Sequence, residues 1–187
     1  MVFDFIMIPL FSRKPIIIGV TGSTGTGKTT VARMFAKCGA YVIDADKIVH
    51  HLLDKSMRKA LAGFVFDEAR ALRKLCRIIH PLVKKKIFSE IKKHRSEKII
   101  VIDAPLLIES GLNKKCDYLV VVKANFRKQL KRSSKSLSLS QNQVRKRIRQ
   151  QMPLKRKIAL ADFVIDNTGS VKNTEKQVRR VWKKWKR

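Results

Sequence analysis

Residues Gly22-Ser23-Thr24-Gly25-Thr26-Gly27-Lys28-Thr29 stand between the apolar run Ile16-Ile17-Ile18-Gly19-Val20 and the segment Val31-Ala32-Arg33-Met34-Phe35-Ala36. The octapeptide fits G-x-x-x-x-G-K-[ST] in full, and its setting predicts strand, glycine-rich loop, helix. A loop that closes on phosphate must turn its backbone N–H groups inward, which a Cβ at Gly22 or Gly27 would obstruct. Lys28 adds a mobile positive charge. Thr29 offers a hydroxyl to a magnesium ion bridging the outer phosphates, and the helix starting near Lys28 points its positive dipole end at them. Ser23, Gly25, Thr26 and Thr30 complete the expected nucleotide-binding loop. A chance match in a chain of this length is on the order of one per cent, so an ordinary glycine-rich turn is the poorer account.

Downstream, short β-branched runs alternate with helical patterns. Tyr41-Val42-Ile43 predicts a second strand that delivers Asp44-Ala45-Asp46 at its C-terminal end, where ligands of parallel α/β sheets sit. Helical patterns follow over Lys47–Leu53, Arg58–Phe66, Glu68–Ile79 and Pro81–Lys93, with Pro81 read as a first-turn proline after His80. Ile99-Ile100-Val101-Ile102 predicts a buried central strand ending on Asp103, and Tyr118–Val122 another. Next come a basic helix at Phe126–Arg132, a Ser-rich break at Ser133–Ser140, a second basic helix at Gln141–Gln151 and a short helix at Pro153–Leu160. The strand Phe163-Val164-Ile165 leads through Asp166-Asn167-Thr168-Gly169 into a terminal helix with an apolar stripe at Val171, Val178, Val181, Trp182 and Trp185. This alternation predicts an α/β fold of the P-loop NTPase type: a doubly wound parallel sheet of about five strands, one domain with a small helical insertion.

Residues 1–14 read as an N-terminal extension. Their apolar run is too short to span a bilayer, Arg13 and Lys14 follow it rather than precede it, and no small-residue cleavage site is present. Cys38, Cys76 and Cys116 are odd in number and far apart, so they read as buried thiols in a reducing compartment, the cytoplasm, rather than as a disulfide framework or metal site. The net charge of +29 suits polyanionic ligands but exceeds what one phosphate pocket needs. Nonspecific polyanion binding is one account of the excess, and a basic nucleic-acid-binding ATPase is the competing functional class. Against that class, no nucleic-acid module is recognisable and aromatic residues scarcely interleave the basic stretches.

Four predicted strand ends converge on one edge, carrying the phosphate loop, Asp44 with Asp46, Asp103 and Asn167. Phosphoryl transfer consists largely of positioning and charge neutralisation, so it needs a phosphate cradle, a magnesium site, an acceptor-side carboxylate and mobile cations. Asp103 has the form of the magnesium-side carboxylate, with a helix or turn cap as its bland alternative. For Asp44 and Asp46 a helix cap is an equally good reading from spacing alone. The acid-free stretch from Arg127 to Arg149 fits a mobile lid that brings arginines to the phosphoryl group, against the alternative of a solvated basic face.

Several of these pieces together resemble the dephospho-coenzyme A kinase family from about Ile16 onward. They are Gly19-Val20-Thr21-Gly22 leading into Gly25–Thr30, Val42-Ile43-Asp44-Ala45-Asp46-Lys47-Ile48, Ile79-His80-Pro81-Leu82-Val83 and Asp103-Ala104-Pro105-Leu106-Leu107-Ile108-Glu109-Ser110-Gly111. Arg147-Ile148-Arg149-Gln150-Gln151-Met152 and Ala161–Gly169 complete the set. The resemblance implies phosphorylation of the ribose 3′-hydroxyl of dephospho-coenzyme A, with ATP and Mg2+ as cofactors, in the last step of coenzyme A biosynthesis. It implies Asp46 as base or orienter of the acceptor hydroxyl, and Lys28, Arg132 and Arg147 as cations on the transferring group. Nucleotide contact extends to Asn167, and acceptor contacts to Asp44, His80, Pro105, Leu106 and Glu109. In this reading residues 15–187 form the kinase domain, with 47–95 as the acceptor subdomain and 127–150 as the lid. Another small-molecule P-loop kinase, acting on nucleosides or nucleotides, is the same-class competitor. The sequence departs from the family in a shortened stretch after Leu53 and in a lid position near Ser136 where the family has arginine. These departures predict weaker acceptor binding and slower turnover.

Overall fold

The computed structural model describes residues 14–53 and 69–185, of which 69–78 are described as backbone only. The five strands are β1 (Ile16–Thr21), β2 (Tyr41–Asp44), β3 (Ile99–Asp103), β4 (Tyr118–Lys123) and β5 (Phe163–Asp166). They form one sheet in the order β2-β3-β1-β4-β5, and every pairing is parallel. The register aligns the strand ends. Val20 and Asp44 both lie opposite Asp103, and Lys123 lies opposite Asp166. One edge of the sheet therefore receives the residues singled out above.

Period-two alternation divides the strand side chains between two cores. Ile18, Val20, Val101, Val120, Val122 and Ile165 face α1 (Lys28–Lys37) and the terminal helix α7 (Val171–Trp185), whose Val178, Val181, Trp182 and Trp185 are buried with them. Ile100, Ile102, Leu119 and Val121 face the other way, onto Val83 and Ile87 of α3 (Ala69–Lys93) and onto Leu107 and Leu112. Burying a Val or Ile in this way is worth about 1.5–3 kcal/mol each, so the sheet's place between the two layers follows from its apolar runs.

Several elements differ from their sequence reading, each for a physical reason. Pro81 does not open a helix; it lies inside α3. It forfeits one backbone hydrogen bond there, and the burial of Val83 and Ile87 beyond it keeps the helix continuous. The lid does break within the serine run, but later and more narrowly than predicted, at Ser138–Ser140. Helix α4 (Phe126–Leu137) continues through the first part of the run and ends at Ser138 in the left-handed region with φ 52°, and Ser140 then caps α5 (Gln141–Arg149) in a capping box with Gln143. Ser133 is buried, so packing overrides its weak helix preference. On α7 the predicted stripe begins one turn late, since Val171 is 66% exposed and Thr174 takes the buried position. The helix predicted over Arg58–Phe66 and the side chain of Cys76 lie outside the described residues. Cys38 and Cys116 are free and half-buried, and burial pushes the Cys116 thiol up to about 12. Among the described residues no helix is long and apolar enough to cross a membrane.

Candidate active site

The loop after β1 turns sharply at Gly25 and Gly27, whose φ values of 77° and 88° are left-handed. Both sites are crowded as well. A Cβ at Gly25 would strike the Gln129 carbonyl and Ser133 Oγ of α4, and one at Gly27 would strike Asn167 Nδ2. The loop is thus clamped between the lid and the strand end of β5. Thr26 Oγ1 donates to Ser23 O at 2.9 Å, closing the loop on itself.

Asn167 works as a brace. Its Nδ2 donates to Thr26 O at 2.8 Å and its Oδ1 accepts from Thr174 Oγ1 at 2.9 Å, both bonds buried. These two bonds hold the Thr26 turn of the loop in place. Arg132 lies over the same point, with Nη2 donating to Asn167 O at 3.1 Å. Its Nη1 is buried with no protein partner among the described residues. A buried guanidinium nitrogen left open beside a phosphate loop is suited to an anion.

At the floor of the cleft, Lys28 sits among carboxylates. Burial lowers its pKa, while Asp103 and Asp46 pull it back up and Lys157 and Arg147 push it down. Asp103 is 4% exposed, and burial raises its pKa to about 6 against the charge of Lys28 and a hydrogen bond with the Thr29 side chain. Its Oδ1 has no protein partner among the described residues. Asp46, whose side chain still meets solvent, is likewise raised by its enclosure in the cleft, with Lys28 and Arg147 opposing and Asp44 reinforcing the shift. The two aspartates of Asp44-Ala45-Asp46 have separated in role. Asp44 Oδ1 accepts from Lys47 N at 3.0 Å and caps α2 (Ala45–Leu52), whereas Asp46 in its first turn faces Lys28 and Arg147 electrostatically.

The remaining predicted acceptor residues form the adjoining wall. Thr21 Oγ1 and the Lys157 ammonium both donate to Pro105 O, at 3.2 and 2.7 Å, and Leu106 follows in the half-buried turn. Glu109 is held by the fully buried Lys157 at 2.9 Å and by Met152 N at 2.9 Å. The carboxylate expected to meet the acceptor thus secures the wall, and His80 of α3 lies within its electrostatic reach, the His80 pKa being lowered first by burial. Thr30 is exposed on the first turn of α1.

Two residues passed over in the sequence reading prove central. Lys157 lies in α6 (Leu154–Ala159), where a basic helix gives no hint that one lysine is buried. Gln151 lies within a quoted motif, and its Oε1 accepts from Thr24 N at 2.9 Å and from the hydroxyls of Ser23 and Thr24, both at 3.2 Å. The Thr29 hydroxyl beside an unpartnered, buried Asp103 oxygen fits a hard divalent cation such as magnesium, which takes few protein ligands and shares the rest with phosphate and water. Among the described residues no group of three or more His, Cys, Asp or Glu could hold a metal without such outside ligands.

Comparison with known proteins converges on the same chemistry. The sequence model of the family described as dephospho-CoA kinase matches residues 16–57 and 54–173, in two overlapping blocks. A dephospho-CoA kinase from Aquifex aeolicus is 37% identical across 88% of this chain and 95% of its own. One from Carboxydothermus hydrogenoformans is 37% identical across 91% and 94%. A dephospho-CoA kinase structure from Campylobacter jejuni superimposes with a TM-score of 0.63 at 25% identity, over 90% of this chain and 96% of that one. A Thermus thermophilus crystal structure superimposes with a TM-score of 0.77 at 29% identity, over 92% and 98%. Shikimate kinase from Acinetobacter baumannii, at 17% identity, 92% and 93% coverage and a TM-score of 0.60, shares the fold.

Proposed function

The chain belongs to the dephospho-CoA kinase family and so phosphorylates an alcohol group of dephospho-coenzyme A with ATP in coenzyme A biosynthesis; we propose that this group is the ribose 3′-hydroxyl and that Asp46 is its base. The observation that carries the reading is the meeting of Lys28, Asp46, Asp103 and Arg147 beside one phosphate loop. The raised pKa of Asp46 makes it a better proton acceptor than an ordinary aspartate, while the charges of Lys28 and Arg147 favour its ionised form. Lys28, Arg132 and Arg147 neutralise charge that spreads over the migrating group, and the loop N–H groups hold the phosphates that stay behind. Thr29 and Asp103 would hold Mg2+, which when bound neutralises and orients the outer phosphates.

On the acceptor side we assign His80, from the helical subdomain 47–95, and the Pro105–Leu106 turn, from the loop after β3, to contact with dephospho-coenzyme A. Glu109 contributes by fixing that loop through Lys157. Residues 127–150 act as the lid. The shortened stretch after Leu53 removes part of the acceptor subdomain, so affinity for dephospho-coenzyme A falls below that of fuller relatives. Free thiols at Cys38 and Cys116 suit a cytoplasmic enzyme.

The test is direct. Purified protein is incubated with ATP, magnesium and dephospho-coenzyme A beside a panel of nucleosides and nucleotides, and products are identified by mass spectrometry. Coenzyme A phosphorylated at the 3′ position is the expected product. Product from the panel, with none from dephospho-coenzyme A, would overturn the reading.

A further inference from the structure

The geometry points to Gln151 as a positioning residue that sets the lid against the tip of the phosphate loop, so that Arg147 reaches the transferring phosphoryl group. This inference rests on the preceding reading of the loop as the ATP site and of α4–α5 as its lid. Helix α5 ends at Arg149, with Gln150 as its C-cap, and Gln151 leaves the helix immediately beyond. One side-chain oxygen there takes three donors, Thr24 N and the hydroxyls of Ser23 and Thr24. Elsewhere the loop is held by bonds from Thr26 back to Ser23 O, at 3.2 Å from N and 2.9 Å from Oγ1, and by Asn167 Nδ2 on Thr26 O. Gln151 is therefore the polar link from the lid's far end to that tip.

Two features make the link capable of transmitting position. First, Arg147 lies in the last turn of α5, and the chain runs from that turn directly to Gln151, with Gln150 N donating to Lys146 O and Gln151 N to Ile148 O, both at 3.2 Å. Its positive charge acts on both Lys28 and Asp46, so the end of α5 that Gln151 holds is the end that presents this cation to the site. Second, the backbone around Gln151 is anchored. Met152 N donates to Glu109 at 2.9 Å, and Lys157 binds Glu109 and Pro105 O. The 151–157 strap is thus tied to the acceptor wall at one end and to the donor loop at the other. A shift of the Gln151 amide moves Arg147 relative to both.

This arrangement predicts that Gln151→Leu, which keeps the bulk and loses the acceptor oxygen, lowers kcat about ten-fold while KM for dephospho-coenzyme A changes less than three-fold. The decisive experiment is a double-mutant cycle with Arg147→Ala, using steady-state kinetics alongside equilibrium binding of a non-hydrolysable ATP analogue. If Gln151 acts through Arg147, losing Arg147 costs at least three-fold less in kcat in the Gln151→Leu background than in wild type. Gln151→Glu, whose carboxylate oxygen accepts the same bonds, retains the coupling even if its charge weakens ATP binding. Fully additive losses, or Gln151→Leu kinetics within two-fold of wild type, would overturn the inference. Thermal melts of each variant separate loss of fold from loss of position, and Gln151→Ala, which also lacks the acceptor oxygen, supplies the cycle if Gln151→Leu is unfolded. Should the wild type prefer another acceptor, the same cycle run with that acceptor still tests Gln151, so the two readings fail separately.

Discussion

Asp46 and Asp103 are raised for one shared reason, enclosure beside Lys28, yet they have different partners and different consequences. Asp46 meets solvent and Arg147, as an acceptor-side base must. Asp46→Asn should therefore lower kcat by about 10²–10⁴ while ATP-analogue affinity stays within a few-fold, and turnover near wild type would remove Asp46 from the base role. Asp103 is buried with one oxygen unpartnered, so its ionisation is costly whenever no cation is bound. Its folded pKa of about 6 exceeds the ordinary 3.8, so the folded protein holds that proton more tightly than the unfolded chain. Stability contributed by Asp103 is full below about pH 4 and is lost as pH rises through about 6, by at most about 3 kcal/mol. In EDTA, without nucleotide, Asp103→Asn should then be more stable than wild type at pH 8 by up to about 3 kcal/mol, the attraction of Lys28 being already contained in that pKa. The gap should close toward pH 4.5. Urea melts at both pH values check this, and a variant less stable at pH 8 would contradict it.

Among the elements, legibility followed the range of the interactions that form each one. The five strands and the phosphate loop were readable because β-branched runs and glycine spacing are local signals. The loop's fixation was not, because Asn167 braces Thr26 across 141 residues and Gln151 reaches Thr24 across 127. The same limit applies to Pro81 and Ser133, whose local preferences were overridden by packing, and to Asp44 and Asp46, which spacing left equivalent. Lys157 is the sharpest instance: its helix is basic, and only the fold shows that this lysine is fully buried against Glu109 and Pro105 O. Removing one partner of such a pair strands the other. Lys157→Met should cost about 3 kcal/mol, at the lower end for buried pairs because Glu109 keeps 21% side-chain exposure. Adding Glu109→Gln should recover part of that loss, which denaturant melts of the two variants would reveal. Equal stability of the single variant and wild type would show that Glu109 is adequately served by water and Met152 N.

For the whole molecule the dominant quantity is charge. A chain of 187 residues with 43 Lys and Arg against 14 Asp and Glu must hold many like charges at close range when it folds. The ion pairs that offset this among the described residues are few and mostly local. Lys86–Glu90, Lys93–Glu90 and Arg179–Glu175 each lie within one helical turn and are exposed to solvent, so screening leaves each of them little weight. Repulsion spread over the surface therefore outweighs surface attraction, and salt acts mainly by screening repulsion. The Debye length falls from about 30 Å at 0.01 M to about 8 Å at 0.15 M, from molecular dimensions to the spacing of neighbours. The melting temperature of the nucleotide-free protein should accordingly rise by several degrees when NaCl is raised from about 0.02 to 0.2 M, the reverse of a fold stabilised by surface ion pairs. Charge-silent osmolytes such as sucrose, tested in parallel, correct for preferential exclusion. A melting temperature that stays level or falls with NaCl would mean that the cations are already neutralised pairwise, and the excess charge would then need a structural account within the molecule.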